Sequence, residues 1–395
     1  MSIALSKLVG TVGDSPTLKL NAQARALKEA GHPVIHLGGG EPSFPIPAAA
    51  MQAIIDKANK RYIKYTPSAG TPALKKAVIA YTEKYYGRTY QPNQVIISAG
   101  AKQALFNFLI AALDPGDEVV FPSPYWVSYP EMIKLAGGVP MPVRGKDPLQ
   151  INEQELLAAL TPNTKAILLN SPCNPSGQIY SETFIKTVVR VAEEKQIFLV
   201  MDDIYHQLVF DGKKPANPCA YVREGKNLVL INGVSKLYAM TGVRIGWAVS
   251  AHEELIAAMA RVQAQSTSCN SDLSEAAAAA ALTADNSCVL ELRKQLEENR
   301  NILLEELSHI PHVKVKKPEG TFYTFADFSH YNPSSQELAQ FLLDKALVAV
   351  VPGKAFGADG YLRISFCADK TSIIEGIRRI RRALENYAPH LEGSN

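Results

Sequence analysis

The sequence predicts an α/β fold in two parts. One is a large three-layer domain around a mostly parallel, seven-stranded sheet; the other is a smaller α+β domain built from both chain ends. From about residue 95 to residue 250, short apolar runs alternate with stretches of helical length and spacing, the rhythm of strands joined by crossover helices. Past residue 288 that rhythm gives way to a long amphipathic segment and then scattered strand-like runs. A chain of 395 residues suits one large domain and a smaller one. The expected division is a large domain at 48–287, with 1–47 and 288–395 forming the small domain and its N-terminal arm.

In chain order, residues 17–30 have helical spacing and stop at Gly31, before His32-Pro33. Val95–Ser98 reads as a strand, and Ala101–Leu113 as a helix ending at Asp114-Pro115-Gly116. Glu118–Phe121 is a strand, Tyr125–Ala136 a helix and Val139–Val143 a strand. Lys165–Asn170 and Phe198–Asp202 are strands separated by the helical stretch 181–195. Asn227–Ile231 and Arg244–Ser250 complete seven strands. The Ala-rich 274–284 and the amphipathic 288–309 are helical, and Phe322–Asp327, Val348–Val351 and Tyr361–Phe366 supply strands to the second part.

Composition narrows the function classes. The hydrophobic fraction of 47% and charged fraction of 20% are those of a soluble globular protein. With 41 basic and 38 acidic residues the net charge is +3, so no electrostatic case exists for nucleic acid. No run approaches the roughly 20 apolar residues of a membrane span. The start, Met-Ser-Ile-Ala-Leu-Ser-Lys, lacks the pattern of a secretory signal. Five scattered cysteines (Cys173, Cys219, Cys269, Cys288, Cys367) argue for free thiols in a reducing compartment and against a metal site. The expected location is the cytoplasm.

In parallel sheets, ligands bind beyond the carboxyl ends of the strands. Several polar clusters stand at such ends. Ser98-Ala99-Gly100-Ala101-Lys102 hands a strand to a helix, where backbone N–H groups can hold a phosphate. Asn170-Ser171-Pro172-Cys173-Asn174-Pro175-Ser176-Gly177 follows another strand and, taken alone, reads as an ordinary Pro/Gly turn. Met201-Asp202-Asp203-Ile204-Tyr205 ends an apolar strand in two acids. A buried Asp202 would need a cationic partner, a protonated pyridine nitrogen for instance, and the residue also fits a helix N-cap. Lys236 follows the 227–231 run in a loop, with Arg244 eight residues on: one amine able to condense with an aldehyde cofactor and one fork for its phosphate. In the tail, Tyr361, Arg363 and Ser365 share one face of a strand, where Arg363 is either exposed or a carboxylate clamp.

Together these segments resemble the fold-type I aminotransferases, pyridoxal 5'-phosphate enzymes, and within them the bacterial aspartate aminotransferase subgroup. The resemblance rests on "NPSG", "DDIY", "SK" with its arginine, and "RIS". It also rests on "GGGEPSFPIP", "KYTPSAGTPALKKA" and "VSKLYAMTGVRIGW", in the family's order from about residue 5 to 386. It implies that Lys236 anchors the cofactor and shuttles the substrate's α-proton, and that Asp202 pairs with the ring nitrogen. Asn174 and Tyr205 would meet the ring's phenolic oxygen, and Trp126 would stack on the ring. Arg244, Ser235 and the backbone at Gly100 and Ala101 would bind the phosphate. Tyr65 would reach it from a partner subunit, which implies a homodimer with shared sites. Arg363, with Asn174 and the Gly40 backbone, would clamp the substrate α-carboxylate.

By the same resemblance, Lys102, Ser15 and Thr17 would receive a side-chain carboxylate, favouring aspartate and glutamate, although Ser15 and Thr17 fit helix capping around Pro16 equally. Relatives that also accept prephenate carry a lysine at the position of Gly13, which points away from that substrate. Many relatives have a phosphate-binding serine where this chain has Gly233. The expected reaction is ping-pong transfer of the amino group of aspartate to 2-oxoglutarate. The rivals are broader aromatic or prephenate specificity, a β-lyase using the same cofactor, or a regulatory domain, which would need a DNA-binding extension that the roughly 30 residues before the Gly38–Pro42 motif are expected to be too few to hold.

Overall fold

The structure is a computed structural model that describes residues 6–13, 16–385 and 387. Its centre is a seven-stranded sheet. The strands run in the spatial order Val95–Ser98, Gly246–Val249, Leu228–Gly233, Phe198–Asp202, Thr164–Asn170, Glu118–Ser123, Val139–Arg144. Six are mutually parallel and Gly246–Val249 alone is antiparallel to both neighbours. The central strands are buried throughout, which is why they read as unbroken apolar runs and not as alternating ones.

Alternate residues of these strands belong to two apolar layers. Ile96, Phe121, Leu168, Val200 and Ile231 pack with Phe108, Met132 and Met259 from helices Ala101–Ala112, Ser128–Leu135 and Glu253–Ser266. Ile97, Val120, Leu169, Met201 and Leu230 face the other way. They meet Val78, Val188 and Ala278 from helices Pro72–Tyr86, Glu182–Lys195 and Asp272–Thr283. The expected three layers are therefore present.

A four-stranded antiparallel sheet forms the second part, in the order Val351–Pro352, Tyr361–Ser365, Tyr323–Asp327, Lys314–Val315. Helices Ser287–Ser308, Ser335–Ala346 and Lys370–Glu385 accompany it. A separate parallel pair, Ile35–His36 with Val348–Ala349, brings the N-terminal arm to the tail.

Four local expectations change. The helix expected at Tyr125–Ala136 spans Ser128–Leu135, leaving Tyr125 and Trp126 in the preceding turn. The strand expected from Arg244 begins at Gly246, because Arg244 takes a left-handed conformation at φ 56°. Val348–Val351 is not one strand but two short pairings in different sheets. Lys236 lies on a one-turn helix, Val234–Leu237, not in a loop. No helix among the described residues is long and apolar enough to cross a membrane.

Candidate active site

Three neighbouring parallel strands end at the same edge, with Asn170 opposite Asp202 and Asp202 opposite Ile231. Asn170 ties this edge together: its Nδ2 donates to the Asp202 carbonyl (2.7 Å) and its Oδ1 accepts the Asn174 N–H (2.7 Å). Beyond the edge opens a cavity of about 1050 Å³. Ala101, Lys102, Trp126, Asn174, Asp202, Tyr205, Ser235, Lys236, Arg244, Arg363 and Gly40 all line it.

At its floor Asp202 is buried. The Tyr129 hydroxyl donates to Oδ2 at 2.6 Å, while Oδ1 has no partner in the protein. Burial raises the carboxyl to about 6, against the opposing pull of Tyr129 and the Ile204 amide. Lys236 Nζ donates to the Gly40 carbonyl at 2.6 Å, and burial lowers the amine to about 8. An amine that sheds its proton near pH 8 can act as nucleophile or base close to neutrality.

A second corner is built for an anion. The helix Ala101–Ala112 starts here with unshared amides, and Gly100 at φ 94° makes the turn into it. A side chain at Gly100 would come within 2.6 Å of Arg244 Nη2. The left-handed Arg244 is steadied by the carbonyls of Thr241 (3.1 Å) and Ala99 (3.3 Å). Gly233 has no room for the serine that many relatives carry: a Cβ there would sit 2.8 Å from the Ile245 carbonyl.

On the tail side, Arg363 is buried and not exposed. Its Nη1 donates to Asn174 Oδ1 (3.0 Å) and its Nη2 to the Gly38 carbonyl (2.9 Å). The Lys102 amine lies 4.8 Å from the Trp126 ring centre, and burial lowers its pKa, with Arg244 adding to the effect. One cavity thus offers a reactive amine, a buried carboxylate with one free oxygen, an anion corner and an arginine fork.

The sequence profile of the aminotransferases of class I and II matches residues 32–380. The chain belongs to that family. A probable aspartate/prephenate aminotransferase of Aquifex aeolicus is 41% identical over 393 residues, covering 98% of this chain and 100% of the relative. An aspartate aminotransferase of Geobacillus stearothermophilus is 39% identical, covering 97% and 100%. Among solved structures, the aspartate aminotransferase of Thermus thermophilus with maleate superposes with a TM-score of 0.92 at 36% identity, covering 97% of this chain and 100% of that one.

Not every residue singled out in the sequence of this aminotransferase lies at the cavity. Tyr65 is 92% exposed and does not line it within its own chain. Ser15 lies outside the described residues, as does the side chain of Thr17, whose backbone is in the helix Pro16–Glu29. Two tyrosines at the site went unread in the sequence. Tyr129, partner of Asp202, gives no local sign of its role. Tyr323, in the cavity wall, sits in an apolar strand that reads as core.

Proposed function

We propose that this aminotransferase transfers the amino group of L-aspartate to 2-oxoglutarate in two half-reactions, with pyridoxal 5'-phosphate held at Lys236. The single observation that carries the reading is the Asp202 carboxylate. It is buried at the cavity floor with Oδ1 unpartnered, in the same cavity as the Lys236 amine. A carboxylate so placed calls for a cationic partner, and a protonated pyridine nitrogen fits. Bound there, the cofactor supplies an electron sink for the charge left at the substrate α-carbon and a temporary carrier for the amino group.

The chain's own residues do the rest. Lys236 Nζ would hold the cofactor's aldehyde and move the substrate's α-proton. Asp202 would pair with a protonated ring nitrogen, and Tyr205 and Asn174 would hydrogen-bond the phenolic oxygen. Trp126 would stack on the ring. The backbone at Gly100 and Ala101, with Ser235 and Arg244, takes the phosphate. Arg363 receives the α-carboxylate beside Asn174 and Gly40. Lys102, with Ser15 and Thr17 of the N-terminal arm, receives the side-chain carboxylate, in keeping with the aspartate aminotransferases among its relatives.

The homodimer belongs to the same reading. Tyr62, Ile63 and Tyr65, with Met51 and Ile55 on the adjoining helix Ala48–Asn59, form an exposed apolar group that calls for cover. Tyr65 would then serve a partner's phosphate corner. The division into a large domain at 48–287 and a small one from both ends follows the two sheets, and a cytoplasmic location follows from the dispersed cysteines.

The test is the visible absorbance of the purified protein supplied with pyridoxal phosphate, before and after aspartate without an acceptor. Loss of the lysine-bound aldehyde band on adding aspartate, and its return with 2-oxoglutarate, is the expected result. A band untouched by aspartate overturns the donor; no band at all overturns the role of Lys236.

A further inference from the structure

Arg363 is a buried cation whose hydrogen bonds go to two neutral acceptors, Asn174 Oδ1 and the Gly38 carbonyl, with Nε unpartnered. Both bonds are made by the terminal nitrogens. Two aromatic rings close on its central carbon, Tyr323 at 4.1 Å from ring centre and Phe356 at 4.9 Å. Tyr323 begins the strand paired with the arginine's own strand, and Phe356 ends the short turn Gly353–Phe356. Both rings are buried, at 2% and 0% exposure. A guanidinium is weakly hydrated and attracted to aromatic faces, most strongly where water is excluded.

We propose that Tyr323 and Phe356 are positioning residues that hold the Arg363 plane for two-pronged contact with a substrate carboxylate. They set substrate affinity and leave the proton chemistry at Lys236 alone. The proposal rests on the reading that Arg363 receives the α-carboxylate. The ring of Tyr323 is what faces Arg363; its hydroxyl serves another contact, lying against Gly40 and hydrogen-bonded to Tyr205.

Tyr323→Met and Phe356→Met keep apolar volume and remove the π face. In the cofactor-loaded full chain, succinate titrated against the cofactor's absorbance gives a dissociation constant free of turnover. Steady-state assays give KM and kcat for an amino donor. Each Met variant is expected to weaken succinate binding and raise KM by about tenfold, a change of about 1.4 kcal/mol. kcat should stay within about threefold, of wild type for Phe356→Met and of Tyr323→Phe for Tyr323→Met, which share the loss of the hydroxyl bonded to Tyr205. Tyr323→Phe, which keeps the ring, should keep the succinate affinity of wild type. Should one Met variant fail to fold, the other and Tyr323→Phe decide. Wild-type affinity in a folded Met variant, a fall in kcat at constant KM in Phe356→Met, or a Tyr323→Phe whose succinate affinity falls as far as that of Tyr323→Met overturns the ring role. Wild-type protein that binds neither succinate nor any amino donor overturns the carboxylate role of Arg363, and the proposal with it.

Discussion

At Asp202 two opposing influences meet: burial drives the carboxyl up to about 6, and the Tyr129 hydroxyl at Oδ2 favours its charged form. Tyr129→Phe removes the second, so the carboxyl titrates at a higher pH. Cofactor affinity, which needs the carboxylate, then falls away at a higher pH than in wild type. Dissociation constants for pyridoxal phosphate measured from pH 5 to about 8 check this. Asp202→Asn, which keeps shape and removes charge, is expected to lower kcat by roughly 10²- to 10³-fold. Lys236→Ala removes anchor and base together, and turnover should vanish along with the lysine-bound absorbance band. Lys236 and Asp202 are legible in the sequence because each sits in a short, unusual context at a strand end, and Arg363 because it interrupts an otherwise apolar strand in the tail. Tyr129 is not, because its tie to Asp202 crosses 73 residues and its own neighbourhood is that of any amphipathic helix.

Among the elements, the strand Gly246–Val249 bears most on the phosphate corner. It lies so close under the start of helix Ala101–Ala112 that a Cβ on Gly246 would overlap the Ala101 amide nitrogen. Gly246→Ala must push strand and helix apart, at about 1–3 kcal/mol. A lower unfolding midpoint is expected in thermal denaturation, together with weaker phosphate binding in titrations with inorganic phosphate. The central strands were readable as apolar runs, since burial on both faces leaves little else for them to be; the edge strand Val139–Arg144, with no buried residue, was readable from its place in the strand–helix rhythm. The reversed direction of Gly246–Val249 was not, because an apolar run carries no polarity and only the short Lys236 turn before it dictates the return. The late start of helix Ser128–Leu135 was hidden for another reason: Tyr125 and Trp126 continue the apolar pattern, while Trp126 serves the cavity wall.

Across the whole molecule, Arg300 bridges the two sheet systems. It rises from helix Ser287–Ser308 with no side-chain exposure. It grips both oxygens of Asp211 (2.8 and 2.9 Å) just past Val209, which itself bridges to Gly320. These hydrogen bonds hold the Asp211 carboxyl at about 2, below its unfolded value of about 3.9. The unfolded chain therefore takes up this proton first. The pair's contribution is complete above about pH 4 and is lost as pH falls towards 2. Asp211→Asn should flatten that part of the acid limb in denaturant titrations. This bridge was invisible in the sequence, where Arg300 is one of many charges on an amphipathic helix. The two-part organisation was legible because the rhythm of elements changes near residue 288.

Arg363 and the Gly38 carbonyl it grips lie 325 residues apart, and the pair Ile35–His36 with Val348–Ala349 spans nearly as far. At about 5–20 residues per second, a ribosome delivers the arginine roughly 15–65 seconds after the glycine. The glycine-rich arm is thus born without its partner, exposed in the nascent chain while the large sheet has all its strands well before synthesis ends. The amine and its carboxylate can be in place early. The Arg363 fork closes on Gly38 last, once the tail has left the ribosome.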